Sequence, residues 1–120
     1  MEDLRLCESD HRFMTVVWDH EPVPSGQLVK LCQEKLGWKK STTYTVLKKL
    51  AEKGFLKNED SVVSSLIPRE QVQTFESGYV VDRAFGGSLP AFIAAFTKGR
   101  KLTEQEAREI QRLIDQSREG

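Results

Sequence analysis

Between Ser9 and Asp19 the apolar residues Phe13, Met14, Val16, Val17 and Trp18 crowd one broad side of a helical wheel, with Ser9 or Asp10 placed to cap its start. His20-Glu21-Pro22-Val23-Pro24 ends that helix, because two prolines remove amide donors and hold the chain in an extended turn. Leu28, Val29, Cys32 and Leu36 then recur at helical spacing, which predicts a second helix from a Ser25 cap to Leu36, closed by Gly37. After Trp38 to Lys40 a third helix is expected to start near Ser41 or Thr42, carry Val46, Leu47 and Leu50 inward, and stop at Gly54.

Beyond Gly54 the period shortens. Phe55 to Lys57 reads as a strand, Asn58 to Ser61 as a turn, and Val62 to Ile67 as a returning strand rich in β-branched residues. Pro68 suits the first turn of a fourth helix whose apolar side is Val72, Phe75, Tyr79, Val80 and Phe85. Gly86-Gly87 breaks it, Ser88 caps a nearly all-apolar segment from Leu89 to Phe96, and Gly99-Arg100-Lys101 is a second break. Thr103, with Glu106 three residues on, has the capping-box spacing for a last helix carrying Ile110, Leu113 and Ile114.

These elements predict a mainly α chain with one small β-hairpin. Helix, short turn, helix and hairpin make residues 1–68 a winged helix-turn-helix module, and residues 69–120 a helical segment. Four of the six phenylalanines fall in that second part, on short helices whose wide apolar faces would leave a large exposed patch on a monomer. A two-fold homodimer is the simplest cover, with Phe75, Tyr79, Phe85, Leu89, Phe92, Ile93, Phe96, Ile110, Leu113 and Ile114 assigned to dimerisation.

The formal net charge of the 120-residue chain is zero, which taken alone disfavours a polyanionic partner. Its distribution reverses that impression: from Lys30 to Lys57 eight lysines stand against two glutamates, and the rest of the chain carries the compensating negative charge. With 38% hydrophobic and 30% charged residues, the composition is that of a folded domain. No apolar run reaches the length of a membrane span and the start is acidic, so a cytoplasmic protein with no membrane partner is expected. Cys7 and Cys32 are too few for a disulfide framework. Cys7 and His11 share one side of a helix, yet only His20 and Cys32 remain to complete a metal site, so ordinary packing is the simpler reading and no metal or cofactor is expected.

The outward positions of the third helix carry the candidate chemistry. Lys39, Lys40, Lys48 and Lys49 suit phosphates; the amides and hydroxyls of Ser41, Thr42 and Thr43 suit phosphates or base edges; Tyr44 and Thr45 suit base edges and thymine methyls. Each lysine alone is as easily a solvated charge, but the cluster favours double-stranded DNA as partner. Trp38, ahead of the helix, reads as a core wedge, and the acidic hairpin tip at Glu59 and Asp60 as a poor phosphate ligand. No nucleophile stands beside a base and there is no glycine-rich phosphate loop, so no enzyme is expected. The alternative from another class is a protein-interaction module whose lysines meet an acidic protein.

Several features in this order resemble the penicillinase repressor family of bacterial winged-helix regulators. They are Met14 to Trp18 closing the first helix, Gly37-Trp38, Thr42 and Thr45, Lys49-Leu50, Glu52-Lys53-Gly54-Phe55-Leu56, Phe85-Gly86-Gly87-Ser88-Leu89 and Leu102-Thr103-Glu104-Gln105-Glu106. The resemblance covers almost the whole chain and implies a dimeric repressor on a palindromic operator, released by an inducing signal. It places Thr42, Thr45 and Lys49 on the recognition helix. Members that respond to β-lactams are cut at an Asn-Phe bond in the dimerisation segment, which implies a sensor peptidase as partner; the corresponding pair here is Ala95-Phe96. Copper-responsive members carry a C-terminal cysteine cluster that this chain lacks. The Gly-Arg pair and aromatic residues common in the family's wing are replaced by Asp60-Ser61-Val62-Val63, which concentrates recognition on the third helix.

Overall fold

A computed structural model, describing residues 3–119, places helix α1 at Glu8–His20, strand β1 at Val23–Pro24, and helices α2 and α3 at Ser25–Leu36 and Lys40–Glu52. The inward stripes of the three helices meet: Phe13, Met14, Val17, Leu28, Cys32, Leu47 and Leu50 are each at most 3% exposed. Burying an aliphatic or aromatic side chain of this size stabilises by roughly 1.5–3 kcal/mol, so this shared interior fixes how the helices sit.

The helix starts differ from the expected ones. Helix α1 begins at Glu8 with Cys7 as its N-cap residue, and neither Ser9 nor Asp10 caps it; Asp10 lies inside the first turn and is buried. Ser25 is not the cap of α2 either. Pro24 holds that position, and Ser25 is buried with its amide donating to the Ser61 carbonyl at 2.8 Å. Gly37 does close α2, with φ 71° and ψ 24°, the left-handed conformation that glycine adopts without a Cβ penalty. The amides of Gly37 and Trp38 return to the carbonyls of Gln33 and Cys32. Helix α3 starts at Lys40, ahead of the expected Ser41 or Thr42.

The sheet has a strand that the prolines concealed. Val23–Pro24 pairs antiparallel with β3 (Val62–Ser65), which pairs in turn with β2 (Leu56–Glu59), in the order β1-β3-β2. Glu59 pairs with Val62, leaving a two-residue turn, Asp60-Ser61, at φ 51° and 62°. Positive φ at both positions matches the twist of a tight hairpin, so Asn58 and Glu59 belong to the strand and not to the turn. The Glu21 carboxylate accepts from the Ser65 amide at 2.7 Å and from its hydroxyl at 2.8 Å, fastening the end of α1 to the hairpin.

Helix α4 (Arg69–Phe85) opens against this module. Val72 has no exposure and Phe75 lies against the same core. The Trp18 indole donates to the Ile67 carbonyl at 3.1 Å, and the Arg69 guanidinium bonds Asp19 while lying over the Trp18 ring. The chain divides into two compact units, Met1–Ser77 and Gly78–Gly120, of which residues 1–2 and 120 lie outside the described residues.

In the second unit α5 spans Leu89–Gly99 and α6 Glu104–Glu119. Gly86 and Gly87 make the break with positive φ, and the Ser88 hydroxyl accepts from the Ala91 amide at 3.1 Å as expected of a cap. The capping box is complete: the Glu106 amide donates to Thr103 Oγ1 at 3.0 Å, and the Thr103 amide donates to Glu106 Oε1 at 2.9 Å.

Candidate nucleic-acid interface

Thr43, Leu47 and Leu50 define the inward side of α3. At about 100° per residue the opposite side carries Ser41, Thr45, Lys48 and Glu52, with Tyr44 on one flank and Thr42 and Lys49 on the other. Ser41, Thr42, Tyr44, Thr45 and Lys48 are exposed, as are Lys39 and Lys40 before them. The first amide of α3 bonded within the helix is that of Thr43, to the Lys39 carbonyl at 3.0 Å, and no side chain caps the amides before it. An uncapped first turn aims amide donors and the positive end of the helix dipole outward, beside two lysines. The exposed Thr45 turns its hydroxyl back to donate to the Ser41 carbonyl at 2.9 Å.

Two residues assigned to this surface are placed differently from the others. Thr43 has no solvent exposure; its hydroxyl donates to the Lys39 carbonyl at 3.2 Å and touches the Cys32 thiol, which burial pushes above the usual cysteine range. Its place four residues before Leu47 in the apolar stripe was the signal that it turns inward. Lys49 is half-buried, and its ammonium stands 2.7 Å from the Asp10 carboxylate of α1, whose close negative charge holds it above the ordinary lysine range. Lys57 is also paired, with Glu59 at 3.5 Å. Among the described residues no ion pair involves Lys39, Lys40 or Lys48.

Two residues were missed. Asp10 is one, legible only as an acid set in register with Phe13, Met14 and Val17. The other is Asn58 on β2, which with Tyr44, Leu47, Lys48 and Ala51 lines an open, mostly apolar hollow of about 380 Å³ between α3 and the hairpin. No sequence signal pairs Asn58 with α3, because the contact depends on the hairpin register. Trp38 is the expected wedge, stacked on Phe13. Cys7 is exposed and Cys32 buried, and among the described residues no cluster of three or more metal-binding side chains forms.

In the second unit the residues assigned to dimerisation sort into two groups. Phe85, Phe92 and Phe96 form a run of ring contacts with centroids 5.4 and 6.2 Å apart, and Phe85 and Phe92 are half-buried, as are Tyr79 and Ile110. Leu89, Ile93, Phe96, Leu113 and Ile114 are exposed. Phe75 departs from the expectation: its ring lies on the core of the first unit and serves that interior. Ala95 and Phe96 are both exposed, within α5.

The family model for the penicillinase repressor matches residues 6–116, spanning α1 through most of α6. This chain belongs to the penicillinase repressor family. It is 20% identical over 116 residues to the penicillinase repressor of Bacillus licheniformis, covering 93% of this chain and 91% of that protein. It is 26% identical over 113 residues to an uncharacterized 16.5 kDa protein of the ptsI 3′ region in Latilactobacillus sakei, covering 91% of this chain and 77% of that one. Family membership makes the chain a DNA-binding transcriptional repressor. Among the described residues no helix is long and apolar enough to cross a membrane.

Proposed function

We propose that the repressor acts as a homodimer, each copy placing α3 in a major groove of a palindromic operator, and that an inducing signal releases it. The observation that carries this reading is the exposed row of Ser41, Thr45 and Lys48 on α3, led by an uncapped helix start with Lys39 and Lys40. In this reading Lys39, Lys40, Lys48 and the open amides of the first turn hold phosphates, while Ser41, Thr42, Tyr44 and Thr45 meet base edges. The hollow beside Tyr44 and Asn58 offers apolar surface for a thymine methyl. The hairpin tip, with Glu59 and Asp60 exposed, stays away from phosphates.

Residues 1–68 serve as the DNA-binding part and the helices after them as the dimerisation part, in which Leu89, Ile93, Phe96, Leu113 and Ile114 meet their counterparts on the second copy. Half-sites then recur at about one helical turn or a multiple, roughly 34–36 Å apart per turn. Release by a sensor peptidase would act at Ala95-Phe96. Both residues are exposed, but scission there requires α5 to unwind locally.

Selection of duplexes from a random library by the purified protein, followed by gel shift across a salt series, tests the reading. Recovery of an inverted repeat bound by two copies is the expected result. Tight binding to an acidic protein, with no sequence selected, would replace it with the protein-interaction alternative.

A further inference from the structure

We infer that Asp10 and Lys49 form a positioning pair that sets the seat of α3 on α1, and that Lys49 is thereby withheld from the phosphates. This rests on the operator reading above. Asp10 is 3% exposed, and a carboxylate taken out of water is tolerated only when paired. Its Oδ1 lies 2.7 Å from the Lys49 ammonium, and among the described residues no aligned hydrogen-bond donor reaches that oxygen, so the attraction of the ammonium is what offsets its burial. The remaining residues at this junction, such as Phe13, Met14, Leu47 and Leu50, are apolar, and apolar contacts are non-directional. They leave the helix free to roll slightly. An ion pair between one fixed point on each helix, at the edge of the packed stripe, removes that freedom. Lys49 sits one turn after Thr45 and next to Lys48, so the roll it fixes is the roll that aims those side chains.

The test uses a duplex selected by the wild-type protein and three full-length variants, Lys49→Met, Asp10→Leu, and the two combined. Each single change strands a charge or shifts α3, and is expected to weaken binding about tenfold. The double variant replaces the pair with apolar groups of similar reach, and is expected to recover wild-type affinity to within about threefold, with the salt slope unchanged. No change at Asp10 can restore a lost phosphate contact. A double variant as weak as Lys49→Met alone, or one whose salt slope falls by about one unit, therefore overturns the inference. Should a single variant fail to fold, the affinity and slope of the double variant decide. A wild-type protein that selects no sequence overturns the operator reading and this inference with it, whereas a wild type that binds beside a double variant that does not recover overturns the inference alone.

Discussion

Trp38 stacks on Phe13 with ring centroids 5.8 Å apart and planes 7° from parallel. The contact ties the turn before α3 to α1, so the tryptophan fixes the start of α3 against α1. Trp38→Ala is expected to destabilise the protein by about 3 kcal/mol, through lost area and the cavity left behind. Urea denaturation followed by circular dichroism measures this, and an unchanged midpoint would mean that the ring is dispensable.

The inward and outward sides of α3 should separate in salt titrations. Lys48→Ala is expected to weaken operator binding and flatten the salt slope by about one unit, as loss of one phosphate contact does. Thr43→Val, at a buried position, is expected to alter stability by about 1 kcal/mol and to leave the slope alone. A reversed pattern would place the interface on another side of the helix.

The elements that the sequence disclosed are those whose cause is local. Gly37 must be left-handed to end α2, Ser88 caps the amide three residues on, and Thr103 and Glu106 satisfy each other within one turn. Periodicity alone placed Leu47 and Leu50 inward. What escaped notice has distant partners. Asp10 and Lys49 meet only after α1 and α3 have packed, so a lysine in a basic run was indistinguishable from a phosphate ligand. The two-residue strand Val23–Pro24 has no pattern of its own and exists because β3 pairs with it. Thr43 is ambiguous by nature, a hydroxyl and a methyl on one small side chain, and packing chose the methyl's preference.

Two phenylalanines that look alike in sequence should behave differently. Phe96→Asp puts a charge on the exposed face of α5 and is expected to yield monomers at micromolar concentration in sedimentation equilibrium, with the first unit still folded. Phe75→Ala is expected to lower the melting temperature of the first unit while leaving the mass of the assembly unchanged. If Phe75→Ala dissociates the protein and Phe96→Asp does not, the two assignments are exchanged.

Acid should loosen the start of α6 before it affects the core. Hydrogen bonds from the Thr103 amide and hydroxyl region hold the Glu106 carboxyl below its ordinary value of 4.5. A depressed folded-state value stabilises the helix above the unfolded value, and that contribution is lost as pH falls through about 4.5 and below. Protection of the Thr103 and Glu106 amides, taken by NMR against the intrinsic exchange rate at each pH, is expected to fall over that range in wild type. In Glu106→Gln the acid-dependent change should be gone.

No buried side chain among the described residues lies beyond Val72, and α5 buries none at all. In the homodimer proposed above, the last third of the chain gains an inside only when a second copy arrives, so its folding is expected to be a matter of dosage. On that reading the tail is expected to fray at low copy number while the winged module stays intact, and the protein's own abundance would set how many molecules hold two half-sites.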